Sequence, residues 1–184
     1  MGGRRSQNNQ IRNGLHTVMN AVMAIVAACA LFFAVFGLWL VPERVSGTSM
    51  EPTFHNDEIL LVSRLSKHLR TPRRGDVVFF RDPDGDGFLI RRIVALPGET
   101  VEVVGGKVYI DSCPLDESAY LTEEVPAGDS PAVTVPEGAY YVLGDNRSET
   151  YDSRVPAFGC VETGEILGIV RLRISPLSEV TYYA

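Results

Sequence analysis

The feature that most constrains this chain is an uninterrupted apolar run over residues 21–41, AVMAIVAACALFFAVFGLWLV. The run contains no charged residue, and at about 1.5 Å of rise per residue a helix of this length extends about 31 Å. That length is close to the hydrocarbon thickness of a lipid bilayer. Trp39 lies near the end of the run, where tryptophan side chains anchor helices at the membrane surface. The sequence therefore predicts one transmembrane helix over residues 21–41.

A buried core helix and a cleaved leader fit this run less well. A core helix would show a polar stripe, and this run has none. A cleaved leader has an apolar core of only ~7–15 residues and then small residues, whereas this run ends in Trp-Leu-Val-Pro. Arginines precede the run and a glutamate follows it, which places the N-terminus in the cytoplasm. We therefore predict a basic cytoplasmic tail over residues 1–20, unstructured at its start, and an extracytoplasmic domain over residues 42–184.

The domain after the apolar run is predicted to be all-β, because short apolar segments alternate with turn residues. Two adjacent glycines, Gly105 and Gly106, separate two such segments and predict a tight β-hairpin. Residues 112–137 are rich in Pro, Asp, Glu and Ser, and we expect a long loop over the sheet. The fold class is thus antiparallel sheets or a partly closed barrel, with one N-terminal transmembrane helix. The predicted strands are residues 59–62, 76–80, 88–96, 101–104, 107–110, 139–143 and 166–174.

The charge balance and the cysteines exclude several classes of partner. Without the three N-terminal arginines the chain has 17 − 3 = 14 basic and 23 acidic residues, so no basic footprint for nucleic acid is expected. Residues 82–87 (DPDGDG) begin like a calcium loop, but Ile93 stands where a bidentate glutamate is needed. We therefore expect no metal and no other cofactor. Whether Cys113 and Cys160 pair is left open, because sequence does not give the distance between them.

A candidate catalytic serine follows the apolar run closely, within residues 46–53 (SGTSMEPT). Gly47 permits tight backbone geometry, and Pro52 stiffens the exit from the turn. Backbone N–H groups at such a turn can bind an oxyanion, and Ser49 supplies a hydroxyl group. A Gly-x-Ser sequence alone usually marks only a turn, so its catalytic role depends on matching residues in the rest of the chain.

Four segments together resemble the type I signal peptidases, membrane-anchored serine proteases that cut signal peptides from exported proteins. The segments are residues 46–53 (SGTSMEPT), 74–78 (RGDVV), 89–98 (LIRRIVALPG) and 144–154 (GDNRSETYDSR). The resemblance covers most of the chain, and the size and single N-terminal anchor are similar to the Gram-positive branch. It implies a β-fold without metal or nucleotide, Ser49 as nucleophile, and signal peptides of exported pre-proteins and membrane lipid as partners.

Arg91 stands where the resemblance places the family's catalytic lysine, which takes the proton of the serine. A guanidinium group stays protonated and offers no lone pair, and making it a neutral base near pH 7 would cost ~7 kcal/mol or more. Arg91 can instead donate hydrogen bonds or neutralise a carboxylate. We expect the other basic side chains to be solvated and none to be a good replacement base. Those considered are Lys67, Lys107, His16, His55 and His68.

The resemblance also implies supporting and substrate-binding residues. Gly47 corresponds to a position beside the oxyanion, and Thr150 to a hydroxyl that contacts the base. Asp152 and Arg154 are expected to form an ion pair that positions the last loop, the alternative being a surface pair worth ~0–1 kcal/mol. A signal peptide would add as a strand at a sheet edge and place small side chains in shallow apolar pockets. The expected pocket residues, each of which could instead be core, are Val45, Met50, Phe54, Leu89 and Ile90.

Three functions remain open at this point. The first is that the chain is a working signal-peptide endopeptidase. The second is that it is a non-catalytic relative that binds peptides as an assembly or chaperone factor, as in pilus biogenesis. A third possibility is that Arg91 was introduced to trap an inactive enzyme. The intact serine motif and the other matching segments favour the first function.

Overall fold

The structure is a computed structural model that describes residues 3–85, 87–121, 128–149, 151–176 and 180–183. The chain divides into two units after Trp39. The first unit is a single helix, α1 (Gly3–Trp39). Within it, Gly14–Ala34 is long and apolar enough to cross a membrane, with a mean hydropathy of 2.2. Large apolar side chains of this segment are exposed, such as Phe33 at 74%, which favours a lipid environment.

The helix differs from the predicted segment at both ends. It begins at Gly3, so the expectation of an unstructured start is wrong from that residue onward. The reason is that a helix propagates more easily than it nucleates, so the apolar segment extends its helix into the polar residues before it. It ends at Trp39, two residues before the predicted end, because Leu40 and Val41 pair with a neighbouring strand. Pro42 follows at once and cannot continue a helix.

The second unit contains a short helix, α2 (Ser66–Leu69), and two antiparallel sheets. Its strands are β1 (Leu40–Arg44), β2 (Ile59–Ser63), β3 (Val77–Arg81), β4 (Phe88–Ala95), β5 (Thr100–Val104), β6 (Lys107–Ile110), β7 (Cys113–Pro114), β8 (Ser130–Thr134), β9 (Ala139–Leu143), β10 (Val161–Glu162), β11 (Ile166–Ser175) and β12 (Thr181–Tyr182). The larger sheet has the order β1-β2-β11-β3-β4-β9-β10, with β12 beside β11. The smaller sheet has the order β7-β6-β5-β8.

The all-β prediction is confirmed, and each predicted strand segment forms a strand. The Gly105-Gly106 hairpin joins β5 to β6, with φ of 57° and 81° at its two glycines. Within the described residues β1 does not pair with β10, so the large sheet stays open. The expectation of a long loop over residues 112–137 is wrong in part, because β7 and β8 lie there and pair with the small sheet. Tertiary pairing overrides the weak strand propensity of these polar residues.

All three cysteines are free thiols. Cys113 is exposed in β7, and Cys160 is half-buried beside the apolar core of the small sheet. The pairing that the sequence left open is therefore absent from the structure.

Strand β4 lies centrally in the large sheet and separates two apolar clusters. Ile93 packs with Val78 and Val142, whereas its neighbour Val94 packs with Val101 and other residues of the small sheet. This alternation follows from the strand geometry, in which successive side chains point to opposite faces. The same rule sends the two consecutive arginines of β4 to opposite faces.

Gly168 in β11 allows the close approach of β2. A methyl group on Gly168 would lie 2.5 Å from Val62 Cγ1 and 2.9 Å from the carbonyl oxygen of Ser63. We expect Gly168→Ala to lower the free energy of unfolding by about 1–3 kcal/mol, because the backbone of β2 would have to shift. Denaturant unfolding of the full chain in detergent measures this. Gly164→Ala, with nothing within 4 Å, is the matched control, and equal midpoints for the two variants would contradict the expectation.

Candidate active site

The turn that carries Ser49 is held by apolar anchors and by a side-chain amide. Met50 is 2% exposed and Phe54 is fully buried, so the chain on the C-terminal side of the serine is fixed to the core. Gly47 has φ of 90°, a value that favours glycine. Its N–H donates to the Asn56 side-chain oxygen at 2.8 Å. The hydroxyl of Ser49, which is half-buried, is therefore presented from a fixed backbone.

The segment over residues 144–147 clamps this turn from the other side. The backbone N–H of Asn146 donates to the carbonyl of Ser49 at 3.0 Å, and its side-chain amide donates to the carbonyl of Thr48 at 3.2 Å. Gly144 lies so close that a methyl group on it would be 2.5 Å from the Ser49 carbonyl oxygen. The glycine and the asparagine of this motif are thus explained by the position of the serine turn.

Arg91 contacts the Ser49 hydroxyl directly. One terminal nitrogen of its guanidinium donates to Ser49 Oγ at 2.8 Å and to the carbonyl of Ile90 at 2.7 Å. The Nε and the other terminal nitrogen donate to the carbonyl of Tyr151 at 3.1 and 2.7 Å. Arg91 is only 4% exposed, so four hydrogen bonds to neutral oxygens hold the cation in place.

Arg91 cannot accept the proton of Ser49. Burial lowers the pKa of the Arg91 guanidinium, and the more distant carboxylates of Asp152, Glu149 and Asp82 act in the opposite direction. A guanidinium starts from a pKa above 12 and presents only donors. The hydrogen bond therefore runs from Arg91 to the serine oxygen, the reverse of the direction that a general base requires.

Among the described side chains of the second unit, neither His55 nor Lys107 is a hydrogen-bond partner of Ser49. His55 is exposed, and its Nδ1 lies 3.5 Å from Glu58. Lys107 belongs to β6 in the small sheet and His16 belongs to α1. The side chains of Lys67 and His68 lie outside the described residues.

Three buried ion pairs support the site. Arg92 pairs with Asp145 at 2.6 Å, Arg147 with Glu117 at 2.5 Å, and Arg154 with Asp152 at 2.7 Å. The pair predicted between Asp152 and Arg154 is confirmed, and the surface alternative is wrong because their side chains are 1% and 4% exposed. Buried pairs of this kind are costly to break, since the remaining charge stays in the interior.

The Asp152–Arg154 pair also fixes the loop that holds Arg91. Asp152 accepts the backbone N–H of Gly144 at 3.2 Å. Arg154 donates to the carbonyl of Arg147 at 2.8 Å and to the carbonyl of Glu149. These bonds position the chain on both sides of residue 150. Thr150, the expected hydroxyl partner of the base, lies outside the described residues.

Arg92 lies on the opposite face of β4 from Arg91 and ties the serine turn to the sheet. Its guanidinium stacks over the ring of Tyr120 at 4.1 Å and holds both oxygens of Asp145, at 2.8 and 2.6 Å. Asp145 also accepts the hydroxyl of Thr53 at 2.5 Å. These supporting residues were not predicted from the sequence, although Arg92, Asp145 and Thr53 lie inside the quoted segments.

A cavity of about 250 Å³ opens beside Ser49 and Arg91. Four of the five predicted pocket residues line it, namely Val45, Met50, Leu89 and Ile90. Phe54 does not line it. That ring is fully buried and packs edge-on against Tyr183, with ring centroids 5.0 Å apart, so its expected substrate contact is corrected to a core position.

Strand β4 has an open edge at this cavity. On one side β3 pairs with Phe88 to Arg92, but on the other side β9 pairs only from Arg92 onward. In the described part of the chain, residues 88–91 therefore lack a partner strand on that side. Unpaired strand edges of this kind accept an additional extended segment.

The backbone donor expected for an oxyanion is better assigned to Ser49 than to Gly47. The N–H of Gly47 is already bonded to Asn56. No acceptor among the described residues takes the N–H of Ser49. Such a free donor beside the Ser49 hydroxyl is of the kind that an oxyanion hole uses.

Comparison of the sequence with known proteins shows which family the chain belongs to. A family model described as signal peptidase, peptidase S26, matches residues 18–175. The chain belongs to the signal peptidase family. A probable signal peptidase I-1 from Synechocystis sp. is 37% identical over 166 residues, which cover 85% of this chain and 80% of that protein. The signal peptidase I of Bacillus licheniformis is 32% identical over 91% of this chain and 94% of its own length.

A solved structure is similar to this chain. It is the crystal structure of a signal peptidase I from Enterococcus faecalis V583, with 32% sequence identity and a TM-score of 0.46. The aligned region covers 54% of this chain and 97% of the Enterococcus chain.

The Arg92–Asp145 pair offers a test of this signal peptidase site. We expect Asp145→Asn to lower the free energy of unfolding by about 3–5 kcal/mol, because it leaves Arg92 charged in the interior. The matched control is Asp57→Asn, whose pair with Arg44 is 66–68% exposed and should cost less than about 1 kcal/mol. Urea unfolding of both variants measures the difference. Similar losses in the two variants would show that the buried pair is not a support.

The Tyr151 hydroxyl gives a prediction on pH dependence. It donates to Asp82 at 2.6 Å, which raises the pKa of Tyr151 to about 12 from its ordinary 10. The resulting stabilisation is present below pH 10 and is lost as the pH rises through about 12. Because the ring is 37% exposed, the loss should be small. The difference in tyrosinate absorbance between wild type and Tyr151→Phe, followed against pH, measures this pKa. Asp82→Asn should return the pKa of Tyr151 toward 10. A wild-type pKa already near 10 would contradict the hydrogen bond between Tyr151 and Asp82.

Proposed function

We propose that this chain is a membrane-anchored serine endopeptidase that removes signal peptides from exported pre-proteins. The observation that carries the proposal is the Ser49 hydroxyl, fixed 2.8 Å from Arg91 in a cavity beside an open strand edge. The family match over residues 18–175 and the relatives named signal peptidase I support the substrate class.

The substrate is proposed to bind as an extended strand along residues 88–91. Their unpaired side can bond to the main chain of a peptide. Side chains of the peptide would then meet the shallow apolar surface of Val45, Met50, Leu89 and Ile90. The cavity of about 250 Å³ has room for the side chains of a peptide, and a preference for small residues before the cut is what the family resemblance implies.

The reaction follows from the order of the groups around the scissile bond. Ser49 Oγ attacks the carbonyl carbon, the C–N bond breaks with release of the new N-terminus, and water then hydrolyses the acyl-enzyme. The N–H of Ser49 is proposed to stabilise the oxyanion. The serine proton passes to solvent, because Arg91 has no lone pair to receive it. The leaving amine takes a proton from solvent water, and deacylation by water restores the Ser49 hydroxyl and releases the peptide carboxylate. We therefore expect slow cleavage that accelerates as the pH rises.

The helix α1 is proposed to anchor the enzyme, with its N-terminus in the cytoplasm and the β-domain outside. The basic residues that precede the apolar segment support this orientation. Only nine residues separate Trp39 from Ser49. This short tether would confine the serine to the vicinity of a bilayer that also holds the substrate.

A second function, peptide binding without cleavage in an assembly or chaperone role, is favoured by one observation. Arg91 occupies the base position as a hydrogen-bond donor, and no described residue replaces it as a base. Such a protein would keep the cavity and the open strand edge and lack turnover.

The deciding experiment is cleavage of a pre-protein by the purified full chain in detergent. We expect slow release of the mature product by wild type, and none by Ser49→Ala. Arg91→Lys should raise the rate by about 10²–10⁴, the usual contribution of a positioned general base.

Each outcome separates the two functions. Cleavage by Arg91→Lys alone would favour the binding role for the natural chain. Continued cleavage by Ser49→Ala would show that Ser49 is not the nucleophile. A wild-type rate that does not increase with pH would contradict proton transfer to solvent.

A further inference from the structure

Arg91 differs from the other buried arginines in its partners. In the described part of the chain the buried arginines are Arg91, Arg92, Arg147 and Arg154. The last three each hold a carboxylate through two nitrogen–oxygen contacts. Arg91 contacts only the oxygens of Ser49, Ile90 and Tyr151, all of them neutral.

The carboxylates near Arg91 are committed elsewhere. Asp152 pairs with Arg154, Glu149 accepts the hydroxyl of Thr48, and Asp82 accepts the hydroxyl of Tyr151. Among the described residues none of them forms an ion pair with Arg91. A buried cation without a paired anion is unfavourable, and a protein normally supplies the partner. Here the partner can come from the cavity.

Several donors beside the cavity remain available. The guanidinium has five N–H groups and uses four of them. The Ser49 oxygen accepts from Arg91, so its own hydrogen can be donated to a ligand. The N–H of Ser49 adds a further donor. A carboxylate is an acceptor-only group with two oxygens and fits such a set.

The charge of the cavity wall points to the same kind of ligand. Besides Arg91 it includes one acid, Glu43, and one further base, Arg44. Arg44 is exposed and pairs with Asp57. Glu43 is half-buried, so Arg91 is the one buried charge of this lining. The apolar remainder, such as Leu89 and Met50, suits the last side chains of a peptide.

We infer that Arg91 and Ser49 form a binding site for the C-terminal carboxylate of a peptide that ends in small residues. This ligand is a signal peptide after its release, so the inference rests on the proposed function for the peptide class. The carbonyl carbon that Ser49 attacks becomes the carboxylate carbon when water replaces the amine. The new anion is therefore produced within reach of the one buried arginine, among the described residues, that lacks a carboxylate.

Arginine at this position stabilises the product in a way that a neutral lysine base does not. The cation is permanent, and its hydrogen bonds to Tyr151 and Ile90 keep it aimed at the serine. The chain thus retains cleaved signal peptides, whether it produced them itself or received them from another peptidase.

The test compares two synthetic peptides of the same sequence, ending in Ala-x-Ala, as the free acid and as the C-terminal amide. Both carry a fluorophore and are titrated by anisotropy against the full chain in detergent. The wild-type chain is used, because Ser49 belongs to the proposed site, and mass spectrometry of each peptide after the titration verifies that it is intact. We expect the acid to bind at least about 10-fold more tightly than the amide, and the preference to weaken with salt.

Two single variants isolate the contribution of Arg91. With Arg91→Met the ratio of the two dissociation constants should fall to about one. With Arg91→Lys a preference for the acid should persist at low pH and disappear as the lysine deprotonates, whereas with Arg91 it persists above pH 10. Arg91→Lys keeps the inference testable if Arg91→Met does not fold.

Three results would overturn the inference. Equal affinities of the wild-type chain for the acid and the amide would contradict the carboxylate site. An unchanged preference in Arg91→Met would assign it to another residue. An amide peptide ending in aspartate that binds as tightly as the free acid would show recognition of a side chain instead of the terminus.

The binding test is separable from the cleavage test. If the chain prefers the acid but wild type cleaves nothing, the carboxylate site is supported and the proposed peptidase function is contradicted. If wild type cleaves but shows no preference for the acid, the peptidase function is supported and the carboxylate site is contradicted.

Discussion

The ion pair between Arg92 and Asp145 joins the three parts of the chain that the site requires. Arg92 belongs to β4, Asp145 lies in the loop after β9, and Thr53 at the end of the serine turn donates to the same carboxylate. Because Arg92 is fixed on one face of β4, Arg91 must point to the other face, toward Ser49. The position of the reactive hydroxyl thus depends on an interaction on the far side of the sheet. A buried pair suits this role, since its geometry is specific even where its net contribution to stability is small.

Arginine at residue 91, where the family resemblance implies a lysine, changes the chemistry of the site more than its geometry. Both side chains can reach the serine, but only lysine loses its charge readily when buried. In this chain the guanidinium is surrounded by carbonyl oxygens that satisfy its donors. The surroundings therefore favour a permanent cation. A peptidase with this arrangement gives up an efficient proton acceptor and gains a fixed positive charge where the product carboxylate appears.

The fold was predictable where the signal was local. Alternating apolar segments identified β2 to β6, β9 and β11, and the Gly105-Gly106 pair located a hairpin. The short strands β7 and β8 were missed because their pairing with the small sheet, and not their polar composition, makes them strands. Ser49 and Arg91 were found through sequence motifs. Their supports were not, because the Tyr151 carbonyl is 60 residues from Arg91 along the chain. Phe54 lies in the core, which was its stated alternative, because residue type does not distinguish a buried ring from one lining a cavity.

The half-paired strand β4 has a consequence for what the protein can recognise. Its open stretch of four residues, 88–91, offers main-chain bonds only to a partner whose own main chain is already extended. A helix satisfies its backbone internally and cannot pair with this edge. The open edge therefore selects the conformation of a partner in addition to its sequence. A pre-protein would be bound only where its chain is extended at the cleavage position.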